Sequence, residues 1–517
     1  MIDVLINGAG PAGASLGIDL ARRGLDIRII DKAPHAFDGS RAKGLQPRTL
    51  EVLHDLDVLD LIIAGGSVYP PLGIHLGPVT IPWRMMGKGE PDVAVPYPDT
   101  WLIPQHRTDR ALHARLDGLG HRVEFGTELR EFRQGEEAVT AKVAAAPGIE
   151  EITARYLVGA DGGSSTVRKR LGIEFAGSTD EQDRMLLVDA VVTGLSRDRW
   201  HIWPRPGGRF VGACPLPHSD LFQVMIRLAP DERPPSDEEQ INRRIQADVH
   251  DRRITLHGIR WTSVFRPNIR LAESYRLGRV LLAGDAAHVH TPAGAQGLNT
   301  GIQDGYNLGW KLAQVLAGAD DRLLDSYQDE RLPVAAGVLG LSTRKYDAIA
   351  KLRPSSIRRG RDEQQLALTY RGGPLAPTGG DHTTTLEVGD RAPNADLIDV
   401  DGRPIRLFDA YRGPHFTAIA FGPGASRDLD RLDWPSTGAG LRRIAVDAGA
   451  HGPTSRADHV LVDAAQAFRR VYGPTTDTLL LIRPDGYIGH IATRNMLTST
   501  NAATRAMTPT ARSPDAR

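Results

Sequence analysis

The first thirty-odd residues constrain the fold more than any other stretch. Ile2-Asp3-Val4-Leu5-Ile6 is a short apolar run, and Gly8-Ala9-Gly10-Pro11-Ala12-Gly13 follows at once. A helical pattern then runs to Arg23, Gly24 ends it, and Ile27-Arg28-Ile29-Ile30 reads as a second strand closing on Asp31 and Lys32. Strand, glycine turn, helix, strand and acid, in that order, describe a dinucleotide-binding unit. Gly8 permits the tight turn, Gly10 lets the backbone approach a pyrophosphate, and Gly13 lets helix and strand pack closely. The helix opening at Pro11 and Ala12 points its free N–H groups at the phosphates. Asp31 stands where a carboxylate accepts hydrogen bonds from ribose hydroxyls.

Composition narrows the class. At 517 residues the chain exceeds one ordinary core, and length suggests about three domains. Hydrophobic content of 41% and charged content of 24% suit a globular protein in water. Lys+Arg and Asp+Glu both count 63, so no net charge calls for nucleic acid or an anionic membrane. The single cysteine, Cys214, excludes a disulfide framework and reads as a buried small residue. With no run of 18 apolar residues and a strand starting at the first residues, a cytoplasmic enzyme is expected.

Further along, 66–104 is rich in Gly and Pro, Gln105 to Leu119 is helical, and short strands lead to Tyr156-Leu157-Val158-Gly159-Ala160-Asp161-Gly162-Gly163. Residues 184–275 alternate strands (Met185–Val192, Phe210–Ala213, Phe222–Arg227) with one charged helix, Asp237–Val249. They read as a mainly β insertion carrying a substrate surface. At Val280-Leu281-Leu282-Ala283-Gly284-Asp285 a buried strand, a glycine and an acid suggest a return to the nucleotide sheet. Long helices follow, the second (322–339) a surface suited to a homodimer, and then an Arg-, Gly- and Pro-rich linker at 351–386. Strands alternating with a helix at 387–497 read as a small α/β domain, and the polar 498–517 as a disordered tail.

Three stretches taken together, the glycine turn with Asp31, the Asp161-Gly162 turn and Gly284-Asp285-Ala286-Ala287-His288, resemble the FAD-dependent aromatic hydroxylases. These are single-component flavoprotein monooxygenases with the para-hydroxybenzoate hydroxylase fold. The region past 386 resembles the thioredoxin-like domain of their phenol hydroxylase branch, which includes enzymes oxidising polycyclic polyketides. The resemblance implies an α/β chain. A Rossmann-like FAD domain (1–183 with 276–350) would carry an inserted mainly β substrate domain (184–275) and a C-terminal thioredoxin-like domain (387–497). It further implies that Arg41 meets the pyrophosphate and Gln105 lines the same groove. Asp161 and Gly162 would serve both FAD and the nicotinamide cofactor, and Asp285 the ribitol hydroxyls. Pro292 and Gly294 would present backbone at the flavin C4a/N5 edge, with Gln296, Gly297, Leu298 and Asn299 around the pyrimidine end. FAD reduced by NAD(P)H would then react with O₂ to a C4a-hydroperoxide that oxygenates an electron-rich arene, phenolic or polycyclic.

Some features admit other readings. Trp200, Trp203, Phe210 and Phe222 suit an aromatic wall for a substrate, and equally a core. His288 and His290 form an H-x-H pair without further ligands at metal spacing, so no metal is expected. Arg353, Arg358, Arg359 and Arg361 suit a solvated linker better than a phosphate site. Gly422-Pro423-Gly424-Ala425-Ser426 stands where a working thioredoxin carries CxxC, which excludes dithiol chemistry there. Alternative activities are a Baeyer–Villiger oxygenase on the same scaffold and a non-catalytic flavin-binding protein.

Overall fold

The computed structural model describes residues 1–84, 92–146, 148–291, 296–350 (backbone alone over 341–350), 362–377, 384–449 and 456–509. Its first sheet has eight strands. At its heart, Ile2–Asn7 lies between Ile27–Asp31 and Gly148–Gly159, parallel to both. Val123–Phe125 extends the parallel order on one side and Val280–Leu282 on the other. The chain therefore does return to this sheet after a long excursion. Val4, Leu5, Ile6, Leu157, Val158 and Leu281 are all fully buried. That is the apolar signature of parallel strands covered on both faces.

One covering layer is a pair of helices, Pro11–Ala21 against Gly297–Leu316. Their close approach rests on glycines. A Cβ at Gly305 would lie 2.7 Å from the Ala12 carbonyl oxygen, and one at Gly309 2.4 Å from Asp19 Oδ2. The later helix thus holds the nucleotide-side helix at backbone distance.

The second sheet has seven strands, antiparallel except for one pair. The expected strands are present as Arg184–Thr193, Phe210–Pro215 and Leu221–Leu228, and the charged helix as Glu238–Val249. The sheet is not confined to 184–275. Trp200–Pro204 pairs in parallel with Leu72–Leu76, so the hairpin Leu72–Leu76/Val79–Trp83 from the Gly/Pro-rich stretch covers what would be a bare edge.

The third sheet, also of seven strands, lies in 396–492, with Phe416–Phe421 between Leu441–Val446 and Thr478–Ile482. Its Arg483–Asp485 turn docks on the Gly297–Leu316 helix through a buried network. Asp485 Oδ2 accepts from Trp310 Nε1 and Asn307 Nδ2, both at 3.1 Å. Glu330 accepts from Lys311 Nζ (2.7 Å) and Arg483 Nη1 (2.6 Å).

Two expectations are overturned here. The tail from 498 is not disordered over its described part: Met496–Thr504 is a helix, and Thr500, Thr504, Met507 and Thr508 are buried. Small threonines pack closely, and Met507 supplies an apolar anchor against Trp310 and Phe416. Nor is 362–377 a solvated linker. Glu363, Gln365 and Tyr370 are buried, with Arg331 Nη1 donating to Tyr370 Oη (3.1 Å) and Gln303 Nε2 to Gln365 Oε1 (2.7 Å). The Gln303 amide and the Arg331 guanidinium offered by the helices outweigh the segment's polar composition. The four linker arginines lie outside the described residues, as do 510–517.

Candidate functional site

All the parallel strands of the first sheet end at one edge, and the three glycine corners meet there. A Cβ at Gly8, whose φ is +114°, would sit 2.3 Å from the Ala160 carbonyl oxygen. Gly13 is as tightly held, since its Cβ would fall 1.9 Å from the Gly8 carbonyl oxygen. Gly284, at φ +61°, abuts Ala12, which a Cβ would approach to 2.7 Å. Arg168 joins the Asp161-Gly162 and Gly284 corners, donating from Nη1 to Ala286 O (2.7 Å) and from Nη2 to Gly163 O (2.9 Å). By contrast, a Cβ at Gly10 would meet nothing within 4 Å. The one open position in the turn faces the space where a ligand would pass. Pro11 and Ala12 begin the helix there, with no side chain capping its N-terminus.

Asp31 binds the turn directly. Its Oδ2 accepts from Ala9 N (2.9 Å) and its Oδ1 from Ala33 N (2.8 Å), with Lys32 exposed beside it. On the adjoining Gln105–Gly118 helix, Gln105 Oε1 accepts from Ala42 N (3.3 Å). One turn on, the Asp109 carboxyl is buried with Oδ1 unpartnered, and burial pushes its pKa up to about 7. Asp161 is spent locally: its carboxylate accepts from Ser165 Oγ (2.6 Å) and Thr166 N (2.7 Å), capping a short helix, while Gly162 takes φ +78°.

Asp285 is open to solvent yet hemmed by protein. That enclosure raises its carboxyl, with His288 and the exposed Arg41 opposing. A Cβ at Gly297 would lie 4.0 Å from Asp285 Oδ1, so the start of the Gly297–Leu316 helix shares this corner, with Gly297 and Leu298 half-buried. Asn299 is fully buried; its Nδ2 donates to Gly44 O and its Oδ1 accepts from Gln46 N, each at 2.8 Å. Gln296 Nε2 donates to Glu363 O (3.0 Å). Both are clamps that hold neighbouring backbone in place. Pro292 and Gly294 lie outside the described residues.

The H-x-H pair forms a buried chain. His288 shares one hydrogen bond with His290 (2.9 Å) and another with Asp304 (2.6 Å), whose second oxygen accepts from Arg331 Nε (2.7 Å). Burial holds the His290 pKa well below the usual imidazole range.

The second sheet presents one face to this region, and alternation along its strands decides which residues are on it. Phe222, Val224 and Ile226 pack with Ile241 and Ile245 of the Glu238–Val249 helix, and Trp203 belongs to the same core. Trp203 and Phe222 are therefore core residues and not a substrate wall; period two turns them away from the nucleotide sheet. Gln223 and Met225 face the other way. Gln223 Nε2 donates to Ser40 O (2.6 Å), and Asp189 accepts from Ser40 N (2.8 Å) and Oγ (2.5 Å). Half-buried Phe210 alternates with Gly212 and Cys214 and keeps the face opposite to the core members Val211 and Ala213. Trp200 lies toward the nucleotide side too, its ring centroid 4.6 Å from Lys43 Nζ.

A family model described as an FAD binding domain matches residues 1–342. A flavin-dependent monooxygenase of Mycobacteroides abscessus is 42% identical over 496 residues, covering 94% of this chain and 96% of the relative. The chain belongs to the flavin-dependent monooxygenases. A second relative of this monooxygenase, the 6-methylpretetramide 4-monooxygenase of Streptomyces rimosus, is 33% identical, with 98% of this chain and 93% of that protein covered. Among solved structures, the OxyS anhydrotetracycline hydroxylase from Streptomyces rimosus superposes with a TM-score of 0.74 at 28% identity, covering 98% of each chain. The mixed α/β fold of the monooxygenase is the fold of these proteins.

The residues fit the FAD that the family binds. The open Gly10 position and the uncapped helix N-terminus suit a pyrophosphate, and the two carboxylates at Asp31 and Asp285, spaced along one sheet edge, suit hydroxyl groups. Arg168, Asp109 and Lys43 were not singled out from the sequence. Each is an ordinary charged residue in its local text, and only the folded chain buries or bridges it.

Proposed function

We propose that this monooxygenase hydroxylates an electron-rich, polycyclic aromatic substrate with NAD(P)H and O₂. The observation that carries this reading is the joint placement of the Gly10/Asp31/Asp285 edge and the sheet face bearing Trp200, Gln223 and Met225 on either side of Ser40–Gly44. The tetracycline-type substrates printed in the names of its relatives favour a polycyclic ring system. Bound FAD supplies the redox chemistry, accepting a hydride and activating O₂. The chain's own part is to bind and orient. Gly10 and the Pro11–Ala21 helix N-terminus would take the pyrophosphate, Asp31 and Asp285 would accept from ribose and ribitol hydroxyls, and Gly297 and Leu298 would offer backbone N–H groups to the flavin's pyrimidine end. The Arg168 bridge keeps the Asp161-Gly162 and Gly284 corners in register, and the aromatic sheet face excludes water from the reacting ring.

In this reading residues 1–183 with 276–350 form the FAD-binding unit, and 184–275 with the hairpin 72–83 the substrate sheet. The 387–497 unit is a thioredoxin-like buttress without dithiol chemistry. The test is to purify the protein, record its flavin spectrum and measure NADPH oxidation with and without hydroxyanthraquinones and anhydrotetracycline. Substrate-stimulated oxidation with a product one oxygen atom heavier and phenolic is expected. A lactone product would assign Baeyer–Villiger chemistry instead, and a bound flavin without any NADPH consumption would overturn the enzymatic reading.

A further inference from the structure

The segment Arg41–Gln46 runs between the cofactor edge and the second sheet, pinned at each step. Ala42 N donates to Gln105, Gly44 O accepts from Asn299, and Gln46 N donates to Asn299. Within it, the Lys43 side chain reaches to the sheet. Its Nζ donates to Gln223 Oε1, lies 3.8 Å from Met225 Sδ and sits over the Trp200 ring. Among the described residues no carboxylate comes within ion-pair distance of it. The nearest acid on this face, Asp189, already accepts twice from Ser40. The lysine keeps some solvent access, yet burial lowers its pKa, with Cys214 and Asp189 opposing. The group is thus both reachable and desolvated. A cation there without a counter-ion is costly unless a ligand supplies the charge.

We propose that Lys43 is the substrate-anchoring residue of this monooxygenase, and that it holds an anionic oxygen, a phenolate or an enolate, of a polycyclic aromatic whose rings lie against Trp200. The assignment rests on the hydroxylase reading above and names the substrate class of that same site. A phenol reaching a neutral Lys43 loses its O–H proton to Nζ, where an N–H bond forms; one reaching the ammonium loses it to water. Both routes end in the same ammonium–phenolate pair. Such a pair suits the reaction, because a phenolate ring is richer in electrons than a phenol and accepts an electrophilic oxygen more readily. Gln223, fixed through Nε2 by Ser40, orients Nζ through its amide oxygen.

The experiment uses the FAD-loaded full chain with two probes, 2-hydroxyanthraquinone, whose phenol and phenolate differ in colour, and its methyl ether. Wild type is expected to bind the phenol roughly 10- to 100-fold more tightly than the ether, the range of a charge-assisted hydrogen bond, and to shift its spectrum to that of the phenolate. Lys43→Met is expected to lose both the preference and the spectral shift, and Lys43→Arg to keep most of each, with FAD affinity unchanged in all three proteins. The proposal is overturned if Lys43→Met keeps the preference, or if wild type shows none or binds neither probe. Those results leave flavin binding and NADPH oxidation intact. Failure of the hydroxylase reading itself shows differently, as no substrate-stimulated NADPH oxidation in the wild type.

Discussion

Two glycines of one turn, three residues apart, have opposite tolerances. A methyl at Gly13 lands 1.9 Å from a backbone oxygen, whereas a methyl at Gly10 meets no protein atom within 4 Å. The fold needs the first, and the proposed pyrophosphate contact needs the second. Gly13→Ala is expected to cost about 2 kcal/mol or more of stability and to abolish FAD retention. Gly10→Ala is expected to leave the melting temperature of the apoprotein within about a degree or two, a change of a few tenths of a kcal/mol, while weakening FAD at least tenfold. Thermal melts of apoprotein with flavin titration of both variants check the pair. Equal melting temperatures for the two variants would contradict the geometry.

The Gln105–Gly118 helix shows how an element sets the chemistry of its residues. Its first turn places Gln105 on the Ala42 backbone, and the next carries Asp109 into the protein below Asp31. Burial raises the Asp109 carboxyl to about 7, with Asp31 adding to the rise and Gln105 opposing it. A carboxyl raised on folding binds more protons in the native than in the unfolded state between its two pKa values. Stability therefore falls as pH climbs from about 4 to about 7, with a slope approaching 1.4 kcal/mol per pH unit from this group alone. Asp109→Asn is expected to remove that component of the slope and to be more stable than wild type at pH 8. Urea melts of both proteins from pH 5 to pH 8 measure it, and parallel curves would show that Asp109 is ionised throughout.

At the scale of the molecule, the third sheet is tied to the cofactor region by the helix that begins at Gly297. Glu330, Lys311, Arg483 and Asp485 form a buried charge cluster around Trp310, about four turns along that helix from the Asp285 corner. Breaking such a cluster on one side leaves uncompensated charges in a low dielectric. Glu330→Ala is expected to cost about 3–5 kcal/mol and to lower FAD affinity although Glu330 is remote from the cofactor edge. Calorimetry with flavin titration tests this. An unchanged FAD affinity in a clearly destabilised variant would mean that the third sheet does not support the site.

The Met1–Asp31 corner was legible in the sequence because its determinants are local. Gly13 and Asp31 act on backbone within one strand–helix–strand unit, so spacing alone encodes them. The return of Val280–Leu282 to the same sheet was legible for a similar reason, since a fully buried strand ending in a glycine and an acid carries its own signature. Composition misled where burial depends on partners far away in the chain. The polar 362–377 and 498–509 stretches are packed because elements elsewhere offer an amide, a guanidinium and an apolar slot. Tertiary structure alone decided the rest. Trp203 and Phe222 became core, and Trp200, Gln223 and Lys43 came together on the opposite face, because strand alternation and the docking of one sheet on another fix which side each residue takes. The physical reason is that a side chain's chemistry depends on its dielectric and its neighbours, and those are assembled from segments far apart in the chain, 183 residues for Gln223 and Ser40 and 255 for Asn299 and Gly44.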